Sequence, residues 1–160
     1  MEQLPDVATL VAIYNQINNY GRANGMELTV RQPGEVLYSM TVRDEHLSSP
    51  GTCHGGVLAG LMDAALGAAA LSLAFTAGEL VSTVEFKINY LHPVHLHDQL
   101  VARATVEHSG KTLVVSSATI SCPTRDNRVV ARGMGTFNRY PAGKRDFHKL
   151  LLPDTELGEK

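Results

Sequence analysis

The chain is short of the features that mark several large classes of protein. Only two cysteines, Cys53 and Cys122, occur in its 160 residues, too few for a disulfide framework and in keeping with a reducing compartment. Basic and acidic residues number 14 and 16, for a formal net charge of −2. No run of Lys and Arg stands out, so nucleic acid has no electrostatic footprint to bind and is not expected as a partner. The opening residues, MEQLPDVATL, lack the basic start and apolar core of a secretory leader, and a cytoplasmic protein is expected. Internal repeats, low-complexity tracts and linkers are missing as well, and the length suits one domain with a sizeable core.

What is present is a long apolar segment around which the rest is organised. Cys53 to Ala77, CHGGVLAGLMDAALGAAALSLAFTA, opens on a Gly-Gly pair and carries one acid, Asp63. Leu, Ala and Met dominate, no proline interrupts, and the run is too long for a strand, so it is read as a helix. At about 100° per residue, Gly56, Ala59, Gly60, Gly67, Ala70 and Ala74 lie near Asp63, while Leu58, Leu61, Met62, Ala65, Leu66, Ala69 and Leu73 supply bulk on the far side and flank. Asp63 is thus expected in a slot of Gly and Ala, where a ligand, water or a second subunit must approach it. A membrane span would fit the length, but a mid-span Asp costs about 2.5 to 3.5 kcal/mol and no basic residue flanks the segment, so no membrane is expected. The helix start offers free N–H groups and a partial positive charge, and Gly55 and Gly56 let its backbone approach a ligand oxygen. With His54 before it, one segment would supply an oxyanion hole and, at Asp63, a general base.

The flanking chain reads as sheet. Residues 1–25 are expected to form an N-terminal helix of the same domain, with Pro5 in its first turn, Val7, Leu10, Val11, Tyr14, Ile17 and Asn18 at helical spacing, and Gly21 or Gly25 as the stop. Met26 to Gln32 and Glu35 to Val42 alternate about the Pro33-Gly34 turn as a hairpin. The polar stretch from Arg43 to Thr52 is a loop that could bring His46, Ser48 and Ser49 to the same site. Glu79 to Tyr90 is a strand with Val84, Phe86, Ile88 and Tyr90 on one face and Thr83, Glu85, Lys87 and Asn89 on the other. Leu100 to His108, Thr112 to Ser121 and Arg128 to Phe137 complete an α+β fold, a long helix wrapped by an antiparallel sheet of about six strands. Residues 26–137 form that domain, and 138–160 read as a polar tail outside the core.

Two other chemistries are weighed from the residues. Cys53 beside His54 suggests a nucleophile, but sequence neighbours rarely aim at one another. His92, His95 and His97 with Asp98 suggest a metal, and in a strand His95 and His97 would share a face. A metal site also needs ligands from elsewhere and a closed second shell, so these residues read as a solvated loop and no metal is expected. Arg125 to Arg128 read as a turn.

The runs TCHGGVLAGLMDAA, VSTVEFKINYLHP, HSGKT and VARGMGTF, in this order between about Glu27 and Phe137, resemble the hotdog-fold acyl-CoA thioesterases of the phenylacetic-acid-degradation type. The resemblance implies hydrolysis of an acyl-CoA substrate with no metal or redox cofactor, coenzyme A being part of the substrate. It also implies a homodimer with active sites at the interface, two dimers stacking into a tetramer. By the same resemblance Asp63 is the general base or nucleophile, and the Gly55 amide polarises the thioester oxygen on a turn shaped by His54. Thr83 orients a water, and Gly56 belongs to the same helix start. Gly110 and Lys111 match a turn that approaches the coenzyme A phosphates, and His92 stands where relatives have Arg. Ser48 replaces a family Asn at the thioester site, a shorter group that could reach through a water. A non-catalytic acyl-CoA binder and a hotdog dehydratase or hydratase using His46 or His54 with Asp63 are the alternatives. The acid on the helix counts against the first, and the missing H-x-P-G loop against the second.

Overall fold

The long apolar segment is one helix, α3, from Gly55 to Ala74, closed by a 3-10 turn at Phe75–Ala77 and by Gly78 in the left-handed conformation (φ 73°). A computed structural model describes residues 6–48 and 51–142. Pro5, Ser49 and the tail from residue 143, including its LLL patch, lie outside the described residues. Six strands enclose α3: β1 (Glu27–Gln32), β2 (Glu35–Thr41), β3 (Glu79–Tyr90), β4 (Gln99–Ser109), β5 (Leu113–Cys122) and β6 (Arg128–Pro141). They form one sheet in the order β1-β2-β4-β5-β6-β3, antiparallel throughout. This is the hotdog arrangement. By length and composition the helix could cross a membrane, yet Leu58, Leu61, Met62, Ala65, Leu66, Ala68, Ala69 and Ala70 are buried in the core shared with the sheet.

The sheet floor beneath α3 is built from small residues. Ala102, Ala104, Ser116, Ala118 and Ala131 are buried there, and Gly133 and Gly135 of β6 sit where a side chain has no room. A Cβ on Gly133 would stand 2.7 Å from the Lys87 carbonyl oxygen and 2.8 Å from Met62 Sδ. The helix therefore lies close to the strands. Two serines peg it: Ser116 Oγ donates to the Leu66 carbonyl at 2.9 Å, and Ser72 Oγ accepts from the Gly34 amide of the β1–β2 turn at 2.9 Å. Both hydroxyls are buried and partnered, so their desolvation is compensated.

Four expectations change on the structure. The N-terminal helix breaks into α1 (Val7–Ile17) and α2 (Asn19–Ala23). Asn18 causes the break: its side chain accepts from the Gly21 amide and donates to Tyr38 Oη, both at 3.0 Å, competing with the helical ladder. Gly25 (φ 64°) makes the stop. β6 runs past Phe137 to Pro141, because Arg139 pairs with Glu79 and Ala142 is buried beside Leu10, Phe75 and Leu80. The face of α3 around Asp63 is open only in part, since Ala70 and Ala74 are fully buried within the chain. Lastly, a bulge at Val84 breaks the alternation of β3, with Thr83 opposite Phe137 but Glu85 opposite Thr136. Val84 is pushed out, 59% exposed, and Thr83 joins the helix-facing side rather than that of Glu85, Lys87 and Asn89.

The close seat of α3 makes a direct prediction. Gly133→Ala should lower stability by about 1 to 3 kcal/mol, because the added methyl meets backbone on one side and Met62 on the other. Urea unfolding measures it, and a midpoint equal to that of the parent would show that the floor yields.

Candidate active site

Asp63 lies two turns into α3, half-buried, and its Oδ1 accepts a hydrogen bond of 3.0 Å from Thr83 Oγ1. The bulge at Val84 is what turns Thr83 toward the acid. With Oδ1 held, Oδ2 remains for a water or a substrate atom. Tyr14 of α1 lies nearby: burial raises its pKa above the usual tyrosine value, its bond to Tyr38 opposes this, and the charge of Asp63 adds to the rise. Tyr38, itself buried and raised chiefly by that burial, accepts from Asn18.

The other chemical element is the start of α3. His54 is the N-cap, and its Nδ1 accepts from the Gly56 amide at 2.9 Å, which places the ring proton on Nε2. The Val57 amide donates to the His54 carbonyl at 3.0 Å. The Gly55 N–H, among the described residues, makes no hydrogen bond, and so it is the donor left at the positive end of the helix. Tyr90 Oη donates to the Gly55 carbonyl at 3.0 Å and lays its ring against Gly55. A cleft of about 340 Å³ opens here, lined by Cys53, Gly55, Leu58, Tyr90, His92 and Val94 among others. Tyr90 was not among the residues singled out by pattern. Its place two residues before His92, at the end of β3, was the available signal.

Asp63 and Gly55 do not act on one atom within a chain. Eight residues of helix separate them by about 12 Å along the axis. The one segment thus supplies both groups, as expected from the sequence, but within a chain α3 presents each to a different place.

The remaining predicted residues divide between two ends of the sheet. Gly110 and Lys111 form the β4–β5 turn, pinned by the Gly110 amide donating to the Leu113 carbonyl (2.8 Å) and by Arg139 donating to the Gly110 carbonyl (3.0 Å). Leu113 pairs with Asn138 and Asn138 with Ser82, so Lys111, which is exposed, belongs to the Thr83 end. His92 belongs to the Gly55 end, with its Nδ1 2.9 Å from the Val129 carbonyl. Ser48 is not turned toward either group: its Oγ donates to the Thr52 carbonyl at 3.0 Å, closing its own loop. His46 is buried with its Nδ1 accepting from the Arg43 amide, and burial, then the charge of Arg43, lowers its pKa. Its carbonyl accepts from the His54 amide at 2.8 Å, so it supports the helix start through the backbone.

The cysteine alternative fades on geometry. Burial pushes the Cys53 thiol up to about 11, the opposite of an activated nucleophile. His95 and His97 do not share a strand face: His97 has φ 67° in a turn, and no group of three or more metal-ligating side chains occurs among the described residues. Asp98 accepts from Arg125 Nε (2.7 Å), the His95 amide (2.9 Å) and Thr124 Oγ1 (3.3 Å), locking this turn to the one before β6.

A long central helix bearing one acid, with a six-stranded antiparallel sheet wrapped around it, defines a hotdog-fold protein. A family model described as the thioesterase superfamily matches residues 50–127. Human acyl-coenzyme A thioesterase 13 is 30% identical over 129 residues, covering 79% of this chain and 89% of that protein. Acyl-coenzyme A thioesterase PaaI of Escherichia coli is 33% identical over 90 residues, 56% of this chain and 61% of the relative. The solved structure of the E. coli PaaI protein from the phenylacetic acid degradation operon matches with a TM-score of 0.73 at 28% identity, covering 83% of this chain and 93% of that one. The chain belongs to the thioesterase superfamily, among its PaaI-type hotdog members.

The Asp98 lock makes a prediction with a sign. Burial raises the Asp98 pKa, but the hydrogen bonds from Arg125, the His95 amide and Thr124 outweigh it and hold the carboxyl below the usual range. A depressed folded pKa means that the stabilisation is complete above the unfolded value, near pH 4, and is lost as pH falls through the folded one. Asp98→Asn should cost about 1 to 3 kcal/mol at pH 7, and its gap to the parent should narrow below about pH 4. Chemical denaturation at several pH values checks it; a gap independent of pH would refute the ionic role.

Proposed function

We propose that the protein hydrolyses acyl-CoA thioesters to the free acid and coenzyme A, with Asp63 as the base. The observation that carries this is the pairing of Asp63 with Thr83 on the small-residue face of α3, together with a Gly55 amide without a partner among the described residues at the start of the same helix. Thr83 holds Oδ1, and Oδ2 takes a proton from a water as its oxygen attacks the thioester carbonyl carbon. The carbonyl π electrons move to oxygen, where the Gly55 N–H and the helix end stabilise the negative charge. Collapse of that intermediate breaks the C–S bond, and the departing coenzyme A thiolate takes up the proton that Asp63 had accepted from the water. Every step uses protein groups and water.

Both groups can face one carbonyl only if they come from two subunits. β3 is an edge strand, with no strand beyond it among the described residues. An antiparallel pairing of β3 with its copy about a two-fold axis carries the Thr83 end of one chain to the Gly55 end of the other. The thioester then sits between Asp63 and Thr83 of one subunit and Gly55, His54 and Tyr90 of the second, with Lys111 and His92 as charged or polar candidates for the coenzyme A phosphates. The same names in the relatives, acyl-coenzyme A thioesterase 13 and acyl-coenzyme A thioesterase PaaI, support the substrate class. An acid so placed favours hydrolysis over mere acyl-CoA binding.

Thiol release from a panel of aryl, short-chain and medium-chain acyl-CoAs should fall by about 10²- to 10⁴-fold in Asp63→Asn, while acyl-CoA binding persists. Equal rates in parent and variant would remove Asp63 from the chemistry.

The shared site has its own test. Gly55 is the first helical residue and follows an extended His54 (ψ 136°), so Gly55→Pro deletes the amide N–H where proline fits the backbone. Each variant alone should be inactive. Mixed and re-associated Asp63→Asn and Gly55→Pro chains should recover about a quarter of parental activity, from the one intact site in each hybrid dimer. No recovery from a mixture shown to contain hybrids would place both groups in one chain.

A further inference from the structure

The face of α3 that carries Asp63 is bounded by two aromatic rings. Phe137 of β6 stands over Gly67, where a Cβ would lie 3.2 Å from its Cε1, and it is buried and fixed in the core. Tyr20 of α2 stands over Gly60. A Cβ there would fall 1.9 Å from Tyr20 Oη, so the phenol end occupies the space of the absent side chain, one turn before Asp63. Gly60 and Gly67 are seven positions apart, about 10 Å of helix, with Asp63 inside that length. Beyond Phe137 the face is closed, since Ala70 and Ala74 are fully buried.

The two rings differ in how firmly they are held. Tyr20 is 51% exposed, and its hydroxyl makes no hydrogen bond among the described residues. It hangs from a five-residue helix whose position is set elsewhere: Asn18 bonds the Gly21 amide and Tyr38, and Arg43 caps the Ala23 carbonyl at 2.6 Å. Its backbone is anchored and its side chain is not. No pattern in the sequence connects residue 20 to residue 60, and neither residue is needed for the bond-breaking steps.

We infer that Tyr20 is the specificity-determining residue of the acyl slot, a movable stopper whose ring over Gly60 limits the slot beside Asp63 to short or compact acyl groups. This rests on the reading of Asp63 as the acid at the thioester. The ring's bulk sets the limit, since a chain that extends toward the start of α3 must occupy the space the phenol fills. The chemical class favoured is therefore a short aliphatic or single-ring acyl thioester, and straight medium chains are disfavoured by the parent.

The test compares acetyl-, benzoyl- and decanoyl-CoA. In Tyr20→Ala the ratio of kcat/KM for decanoyl-CoA to that for acetyl-CoA should rise by about tenfold or more, the scale on which a pocket separates acyl groups by size. Tyr20→Phe, which keeps the ring, should keep the parental ratio. A merely structural role would lower all rates together and leave the ratio alone, and that result overturns the proposal. The same three ligands are titrated calorimetrically against Asp63→Asn and Asp63→Asn/Tyr20→Ala, where no turnover interferes. A Kd ratio that shifts with Tyr20 upholds the slot even if the parent releases no thiol from any of them, an outcome that would defeat only the hydrolase reading. A Kd ratio unmoved by the double variant counts against Tyr20 whatever the rates show.

Discussion

The rest of the structure depends on how closely a long apolar helix can be laid on a sheet. α3 has too little polar surface to stand in water, so the strands must wrap it, and they reach it only because their inner residues are small. Ala102, Ala104, Ser116, Ala118, Gly133 and Gly135 give up their own bulk so that Met62, Leu66 and their neighbours can occupy the space. Van der Waals contact falls off steeply with separation, so a floor one methyl higher would forfeit packing along the whole helix. The serine pegs, Ser116 to Leu66 and Ser72 to Gly34, then fix the helix in rotation and along its axis.

That fixed rotation sets where Asp63 is presented. Burying the bulky sides of α3 leaves the Gly and Ala side as the one approach to the acid, and the bulge at Val84 delivers a hydroxyl to it. The helix start is held with comparable care: His54 caps it from the side chain, His46 supports it through the backbone, and Tyr90 clamps the Gly55 carbonyl. Each contact occupies an amide or a carbonyl, and the Gly55 N–H is the donor they leave over. In the proposed reaction such a donor would act at low reorganisation cost, since it is already aimed before substrate arrives.

The two helix ends also explain why a symmetric partner suits the fold. An acid and an amide about 12 Å apart on one rigid helix cannot meet at one carbonyl, but an antiparallel two-fold exchanges the ends of two helices. In the proposed dimer, asymmetry along α3 becomes complementarity between copies. The edge position of β3, beside which the acid-bearing and amide-bearing ends both lie, is the topological feature that permits it.

Much of this was readable in the chain because it follows from local rules. Apolar run length marks α3, alternation and turn residues mark the strands, and Gly-Gly after a capping residue marks a helix start; these depend on neighbours within a few positions, so one dimension suffices. The HGG run and Asp63 mark a candidate site on that helix by the same local rules. What escaped are relations between distant residues. The Val84 bulge reverses the face of Thr83 because β6 sets the register of β3, and no alternation within residues 79–90 records that partner. Asn18 breaks its helix because Tyr38 awaits its amide, β6 continues because Glu79 awaits Arg139, and His97 turns because Arg125 and Thr124 converge on Asp98. Tyr20 reaches Gly60 across forty residues. Backbone preference is written residue by residue, whereas register, bulges and the meeting of side chains are settled by the free energy of the packed whole, and only the folded chain evaluates it.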